Sequence, residues 1–132
     1  MRQSLWPNPD PDAQLADMEA WLARSDTTVL MAPRSGGANA GLAGFAEVGT
    51  RSVADSCETS PVAYLEGWYV DTDMRRQGVG AALIRAAEDW ARAKGLKEFA
   101  SDTQLANTDS QLAHVALGFT EVERLVAYRK VL

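Results

Sequence analysis

Two groups of residues in this chain have types and spacing suited to chemistry. The first is Arg75-Arg76-Gln77-Gly78-Val79-Gly80, which stands where an apolar run gives way to a helical pattern. A helix N-terminus leaves backbone N–H groups unpaired and carries a partial positive charge, so it can hold an anion. Glycine lets a ligand approach the backbone with no Cβ in the way. The structural alternative is a glycine-eased turn with solvated arginines. Neither Gly-x-x-x-x-Gly-Lys nor Gly-x-Gly-x-x-Gly is present, so nucleotide loops of those kinds are not indicated. The second group is a pair of carboxylates. Glu66 interrupts the otherwise apolar run Tyr64 to Val70, on the face that alternation shares between Tyr64 and Trp68. A buried carboxylate is costly without a partner, and Gly67 beside it allows a bulge of the kind that opens strands near sites. An ion-paired or edge-exposed glutamate is the alternative. Asp102 ends the next expected strand, where ligands of parallel sheets collect; a turn or capping role is the alternative.

The elements that must position these groups follow from periodicity. Tyr64 to Val70 is apolar on nearly both faces and reads as a central strand. Val79, Leu83, Ala87 and Trp90 fall on one face of a helix that runs to Lys94 and stops at Gly95. Upstream, Trp6 to Pro11 is a proline-rich loop. Asp10 or Asp12 can cap the next helix, with Pro11 in its first turn. Leu15, Met18 and Leu22 repeat there at helical spacing, joined by Trp21. Thr27 to Ala32 and Leu42 to Val48 read as hairpin strands around turn material from Pro33 to Gly41. Downstream come a strand over Lys97 to Asp102 and a helix from about Thr108 to Leu117, capped by Asn107 and stopped by Gly118. A final strand is expected over Glu121 to Lys130. The order ends β-α-β-α-β behind an antiparallel part, which makes the class mixed α/β or α+β.

The whole chain, residues 1–132, is expected to form one domain. Charged residues make up 23% and hydrophobic ones 46%, an ordinary globular composition. No apolar run reaches the roughly 18 residues of a membrane helix and no signal-peptide core appears, so a cytoplasmic location is the expectation. One cysteine, Cys57, excludes an internal disulfide, and one cysteine with one histidine makes zinc a poor expectation. A net charge of −5 argues against nucleic acid as a partner; an acidic surface would attract a polycation, with simple solubility as the alternative.

An Arg-x-x-Gly-x-Gly loop between a central strand and an amphipathic helix resembles the acetyl-CoA loop of the Gcn5-related N-acetyltransferases (GNAT). Leu-Glu-Gly-Trp-Tyr-Val precedes it, and Ala-Ser-Asp-Thr, Asn107 and Leu-Gly-Phe-x-Glu follow. With these the chain is similar to the aminoglycoside 6′-N-acetyltransferases over nearly its whole length. The resemblance implies a GNAT-type mixed central sheet flanked by helices, acetyl-CoA as co-substrate and no metal. It also implies a polycationic aminoglycoside as acceptor, direct transfer in a ternary complex, and a homodimer. Family members usually begin with another strand and most of a helix. Met1 stands five residues before Trp6, so the usual first strand is expected to be missing.

The same resemblance assigns roles. Trp68, Tyr69 and Val70 would offer backbone groups to pantetheine, with the Val70 N–H at the oxyanion. Arg76, Gln77, Gly78, Val79, Gly80 and Ala81 would hold the pyrophosphate, and Asn107 would touch the CoA arm. An alkylamine arrives as ammonium, its pKa being roughly 9–10, so a carboxylate is needed to bind it and take its proton. Glu66 is that group, with Asp102 and Glu123 as further acceptor contacts and Trp6 against the sugar rings; a solvated glutamate at Glu123 and a core plug at Trp6 are the alternatives. His114 stands where many relatives have a tyrosine proposed to protonate the thiolate; a structural histidine is the alternative, and Tyr128 on the last expected strand is a second, weaker candidate for that role. Close relatives carry an aromatic in the loop before the central strand, where this chain has Arg51 to Cys57 with none. Rival readings are transfer to another amine, such as a polyamine or a peptide N-terminus, and a CoA-binding module without catalysis.

Overall fold

The computed structural model describes residues 1–36 and 40–132. Its order is α1 (Arg2–Leu5), α2 (Pro11–Leu22), β1 (Thr27–Pro33), β2 (Leu42–Arg51), β3 (Val62–Val70), a single 3-10 turn (Thr72–Met74), α3 (Val79–Ala93), β4 (Phe99–Ser101) and α4 (Thr108–Ala116). The sheet runs β1-β2-β3-β4, antiparallel except for the parallel β3–β4 pair. The expected mixed sheet with flanking helices is therefore present. The turn expected over Pro33 to Gly41 is described only at its ends, residues 37–39 lying outside the described residues.

Helix α3 crosses one face of the sheet. Leu83, Ile84, Ala87 and Ala91 are its buried side chains, and the first three pack on Ala46, Val48 and Leu65. Full burial of a side chain such as Ile84 contributes about 2–3 kcal/mol. Trp68, Val70, Val79, Trp90, Phe99 and Phe119 close the rim of this core. The other face of the sheet carries Glu47, which is buried and paired with Arg2 at 2.7 Å. That ion pair, buried on the Glu47 side and partly open on the Arg2 side, ties α1 to the sheet. Caps form as the sequence requires: the Asp10 carboxylate accepts from the N–H of Asp12 and Ala13, and the Asn107 side chain accepts from the N–H of Ser110.

Three expectations fail. Helix α2 buries none of its residues; Leu15 and Leu22 are exposed, because no further element covers that face among the described residues. The strand expected over Glu121 to Lys130 does not form. Every residue from 120 to 132 is exposed and outside regular structure: the β propensity of Leu125-Val126-Ala127-Tyr128 does not by itself make a strand, and the segment pairs with no strand among the described residues. Finally, Trp68 does not share the face of Tyr64 and Glu66. The register passes from Glu47↔Gly67 to Val48↔Leu65, so Glu66 is an extra, bulged residue. The bulge shifts the alternation by one, sending Leu65 and Trp68 both toward α3 and leaving Tyr64 and Glu66 on the opposite face.

Candidate active site

On one side of the candidate site, β3 hands over to α3. Gly78 has φ +83 and, as the residue preceding α3, offers no side-chain cap. The helix's first hydrogen bond runs from the Ala82 N–H to the Gly78 carbonyl. The N–H groups of Val79, Gly80 and Ala81 therefore point out of the first turn with no protein cap, unlike those of α2 and α4. Arg76 is also left-handed, at φ +59. Left-handed residues at Arg76 and Gly78 are of the backbone kind that can turn nearby amides toward an anion. The loop's other polar groups are spent on holding its shape. Gln77 donates to the Asp73 carbonyl and Arg75 to the Val70 carbonyl, each at 3.0 Å. Arg34 clamps Asp71 at 2.7 Å and Asp73 at 2.8 Å. Its guanidinium holds the Asp73 carboxyl below its ordinary range. Nothing local in the sequence marks Arg34 for this task, because its partners lie nearly forty residues on.

The strand edge beside this loop is open. Strand β4 pairs only with Ala63, Tyr64 and Leu65 of β3, so the edge beyond Leu65 faces no strand among the described residues. The Asp71 N–H donates to the Ala43 carbonyl at 2.9 Å, which fixes the phase of the antiparallel ladder. Tyr69 is then a hydrogen-bonded partner of Phe45, whereas Trp68 and Val70 turn their backbone groups to the open side. Of the three residues expected to meet pantetheine, Tyr69 is the exception: its N–H and C=O are committed to β2. The Trp68 indole lies under the first turn of α3, with its Nε1 buried and unpartnered. It meets the His114 ring edge-on at 5.6 Å.

On the other face, the bulge presents Glu66. Both of its oxygens are held by Arg51, Nε to Oε1 at 2.9 Å and Nη2 to Oε2 at 2.6 Å. The Arg51 guanidinium also lies 3.4 Å above the centre of the Tyr64 ring. The Tyr64 hydroxyl donates to Asp102 at 2.5 Å. Burial, with Asp102 adding to it, pushes the Tyr64 phenol far above its usual range, so it stays protonated as a donor. Glu66 and Asp102 thus belong to one continuous network. Trp6 sits beside them. Its indole fills the space above Gly67, where a Cβ would come within 2.1 Å of the ring. Arg2 holds it there, stacked 4.9 Å from the ring centre while paired to Glu47.

Other expected members are placed elsewhere. The His114 Nδ1 donates to the Ser110 carbonyl at 2.7 Å, and Nε2 meets the Ser101 hydroxyl at 2.9 Å. Both nitrogens are thus engaged within the chain, and the ring lies between Phe119 and the Trp68 indole. Asn107 spends its oxygen on capping α4. Glu123 and Tyr128 stand on the exposed arm, and nothing among the described residues holds either beside Glu66. The three-carboxylate cluster expected from sequence is thus two carboxylates and an arginine. Arg51 was missed as a partner, because no local pattern reveals a cross-strand contact that depends on a bulge.

An open-edged strand, an uncapped helix start and, just before them, a carboxylate on a bulge are the parts that a group transferase needs to hold an anionic donor beside a cationic acceptor. The sequence pattern of the acetyltransferase (GNAT) family matches residues 1–119, and the chain belongs to that family. Among its relatives, an aminoglycoside N(6')-acetyltransferase type 1 of Serratia marcescens is 47% identical, covering 100% of this chain and 89% of the relative. The Klebsiella aerogenes protein of the same name is 45% identical, covering 100% and 87%. In structure the chain is similar to AAC(6')-Iy in complex with the bisubstrate analogue CoA-S-monomethyl-acetylneamine, with TM-score 0.88, 40% identity and coverage of 100% and 88%. It is similar also to AAC(6')-Ih of Acinetobacter baumannii, with TM-score 0.89, 34% identity and coverage of 99% and 87%.

Proposed function

We propose that this protein transfers acetyl from acetyl-CoA to the 6′-amine of aminoglycosides, by direct attack within a ternary complex. The observation that carries this reading is the bulged Glu66, placed on β3 just before the open edge at Trp68 and Val70 and the uncapped start of α3. The α3 amides take the donor's pyrophosphate, and the free edge of β3 takes its pantetheine arm. Glu66 binds the acceptor's ammonium and receives its proton, directly or through water. The neutral nitrogen then attacks the thioester carbonyl. A C–N bond forms, the C–S bond breaks, and the CoA thiolate leaves to be protonated. The Val70 N–H, turned from β2, suits the oxyanion formed on the way. N-acetylation removes an ammonium and its hydrogen bonds, which would cost the antibiotic its hold on ribosomal RNA and make this a resistance enzyme. A cytoplasmic location accords with this reading, as no helix among the described residues is long and apolar enough to cross a membrane.

The expected result with purified protein is thiol release from acetyl-CoA on adding kanamycin, with mass and NMR analysis placing one acetyl group on the 6′-nitrogen. Release with spermidine or a peptide amine and none with kanamycin would reassign the acceptor. Acetyl-CoA binding without release to any amine would mark a non-catalytic module.

A homodimer belongs to this reading. The exposed arm from 120 to 132, with Val122, Leu125, Val126 and Val131 unburied, supports it, as does the bare apolar face of α2. Pairing the arm with a second copy would bury those residues and carry Glu123 to the partner's cleft. Sedimentation is expected to give twice the chain mass of 14.3 kDa, and removal of residues 121–132 is expected to abolish the dimer. A full-length chain that sediments as a monomer would remove this part of the reading.

A further inference from the structure

Glu66 is occupied at rest. Both carboxylate oxygens are engaged by one guanidinium fork, at 2.9 and 2.6 Å, and an incoming ammonium needs those same oxygens. Arg51 and Glu66 keep side-chain exposures of 43% and 24%, so the pair is reachable and breakable from solvent. Arg51 has a second seat, the face of the Tyr64 ring, on which it can remain once Glu66 is released. Tyr64 is itself held by Asp102. The guanidinium never deprotonates near neutral pH, so Arg51 cannot act as a base here; it acts as a fixed charge.

We infer that Arg51 is an internal competitor for the acceptor's place at Glu66, and that it sets the enzyme's preference for acceptors with several ammonium groups. This rests on the reading that Glu66 receives the acceptor. The charge count carries it. With Arg51 in place, the pair of carboxylates holds one net negative charge. A monoamine at Glu66 exchanges one cation for another and gains little. An acceptor with further ammonium groups replaces the guanidinium at Glu66 and brings additional charge to Asp102, so it meets the cost of displacement.

The test is Arg51→Gln, assayed with kanamycin and with 6-amino-6-deoxyglucose, which presents a single primary amine on a comparable sugar. For kanamycin, KM is expected to fall about fivefold, the most that an ion pair of this exposure can withhold, with the change falling on KM rather than kcat. For the amino sugar, kcat/KM is expected to rise relative to kanamycin. In a Glu66→Gln background the same substitution is expected to leave KM unmoved, since there is no carboxylate to compete for. Unchanged acetyl-CoA affinity by calorimetry, and an Arg51→Lys variant with an intermediate KM, establish that the fold is intact. If Glu66→Gln alone has no effect, the reading of Glu66 itself falls. If Glu66→Gln is impaired but Arg51→Gln raises KM, lowers kcat or leaves KM unchanged, Arg51 serves only to orient the carboxylate and this inference is overturned.

Discussion

Glu66→Gln is expected to lower kcat/KM for aminoglycosides by at least about 10²-fold, the usual contribution of a positioned proton acceptor. Glutamine has nearly the shape of glutamate, so the bulge between Gly67 and Leu65 can persist. What disappears is the charge that draws an ammonium and the basicity that accepts its proton. Losing a charge-assisted hydrogen bond to the ammonium adds about 1.5–3 kcal/mol to the deficit, so KM rises as kcat falls. Acetyl-CoA affinity is expected to stay within about twofold of the parent, because the donor side is built from main-chain groups of Trp68, Val70 and the first turn of α3. Stability also changes little. The Arg51–Glu66 pair is partly exposed, and such a pair contributes about 1 kcal/mol or less, a melting shift of only a few degrees (~5 °C) for a domain of this size. A variant with normal melting, normal acetyl-CoA binding and near-parent turnover would show that the proton leaves by another route and that Glu66 is only an ion-pair partner.

The contrast between what the sequence revealed and what it concealed follows the range of each interaction. Asp10 and Asn107 act as caps over two or three residues, so their roles are legible locally. The loop before α3 is legible for the same reason, since Gly78 and Gly80 do their work within one turn. Gly67 announced a bulge, but the consequence of that bulge was not legible. Inserting one residue reverses the alternation, so Trp68 faces α3 while Glu66 faces away. The phase of the ladder is equally silent in sequence: hydrophobicity cannot say whether Tyr69 or Val70 keeps its N–H for a ligand, and only the Asp71 to Ala43 bond decides it. The Arg51–Glu66 and Arg34–Asp71 pairs span a fold that must exist before either can form. The segment from Glu121 to Lys130 reads as a strand because its residues favour one, yet a strand exists only when paired, and this segment pairs with none among the described residues.

The largest effect on the donor side is expected at Gly80. A Cβ built there would lie 2.8 Å from Cζ2 of the Trp68 indole. That indole cannot easily give way, because it is wedged among the core residues and against His114. Gly80→Val must therefore displace either the first turn of α3 or the indole that supports it. Either movement misaligns the N–H groups of Val79, Gly80 and Ala81. Hydrogen bonds from amides to a charged phosphate contribute about 1.5–3 kcal/mol each, so losing two raises the acetyl-CoA Kd roughly 10²-fold or more. Helix propensity works in the opposite direction, since alanine favours a helix over glycine by about 1 kcal/mol. Gly80→Ala separates the two effects: a modest thermal change together with weakened acetyl-CoA binding would locate the damage in the site and not in the fold. Gly78→Asn is the matched control. Nothing in the protein lies within 4 Å of a Cβ at Gly78, and asparagine tolerates its left-handed φ better than other side chains, so the melting temperature should stay close to the parent's. Equal acetyl-CoA binding by Gly80→Val and the parent would mean that the start of α3 does not hold the diphosphate, and the donor would have to be sought elsewhere on the sheet.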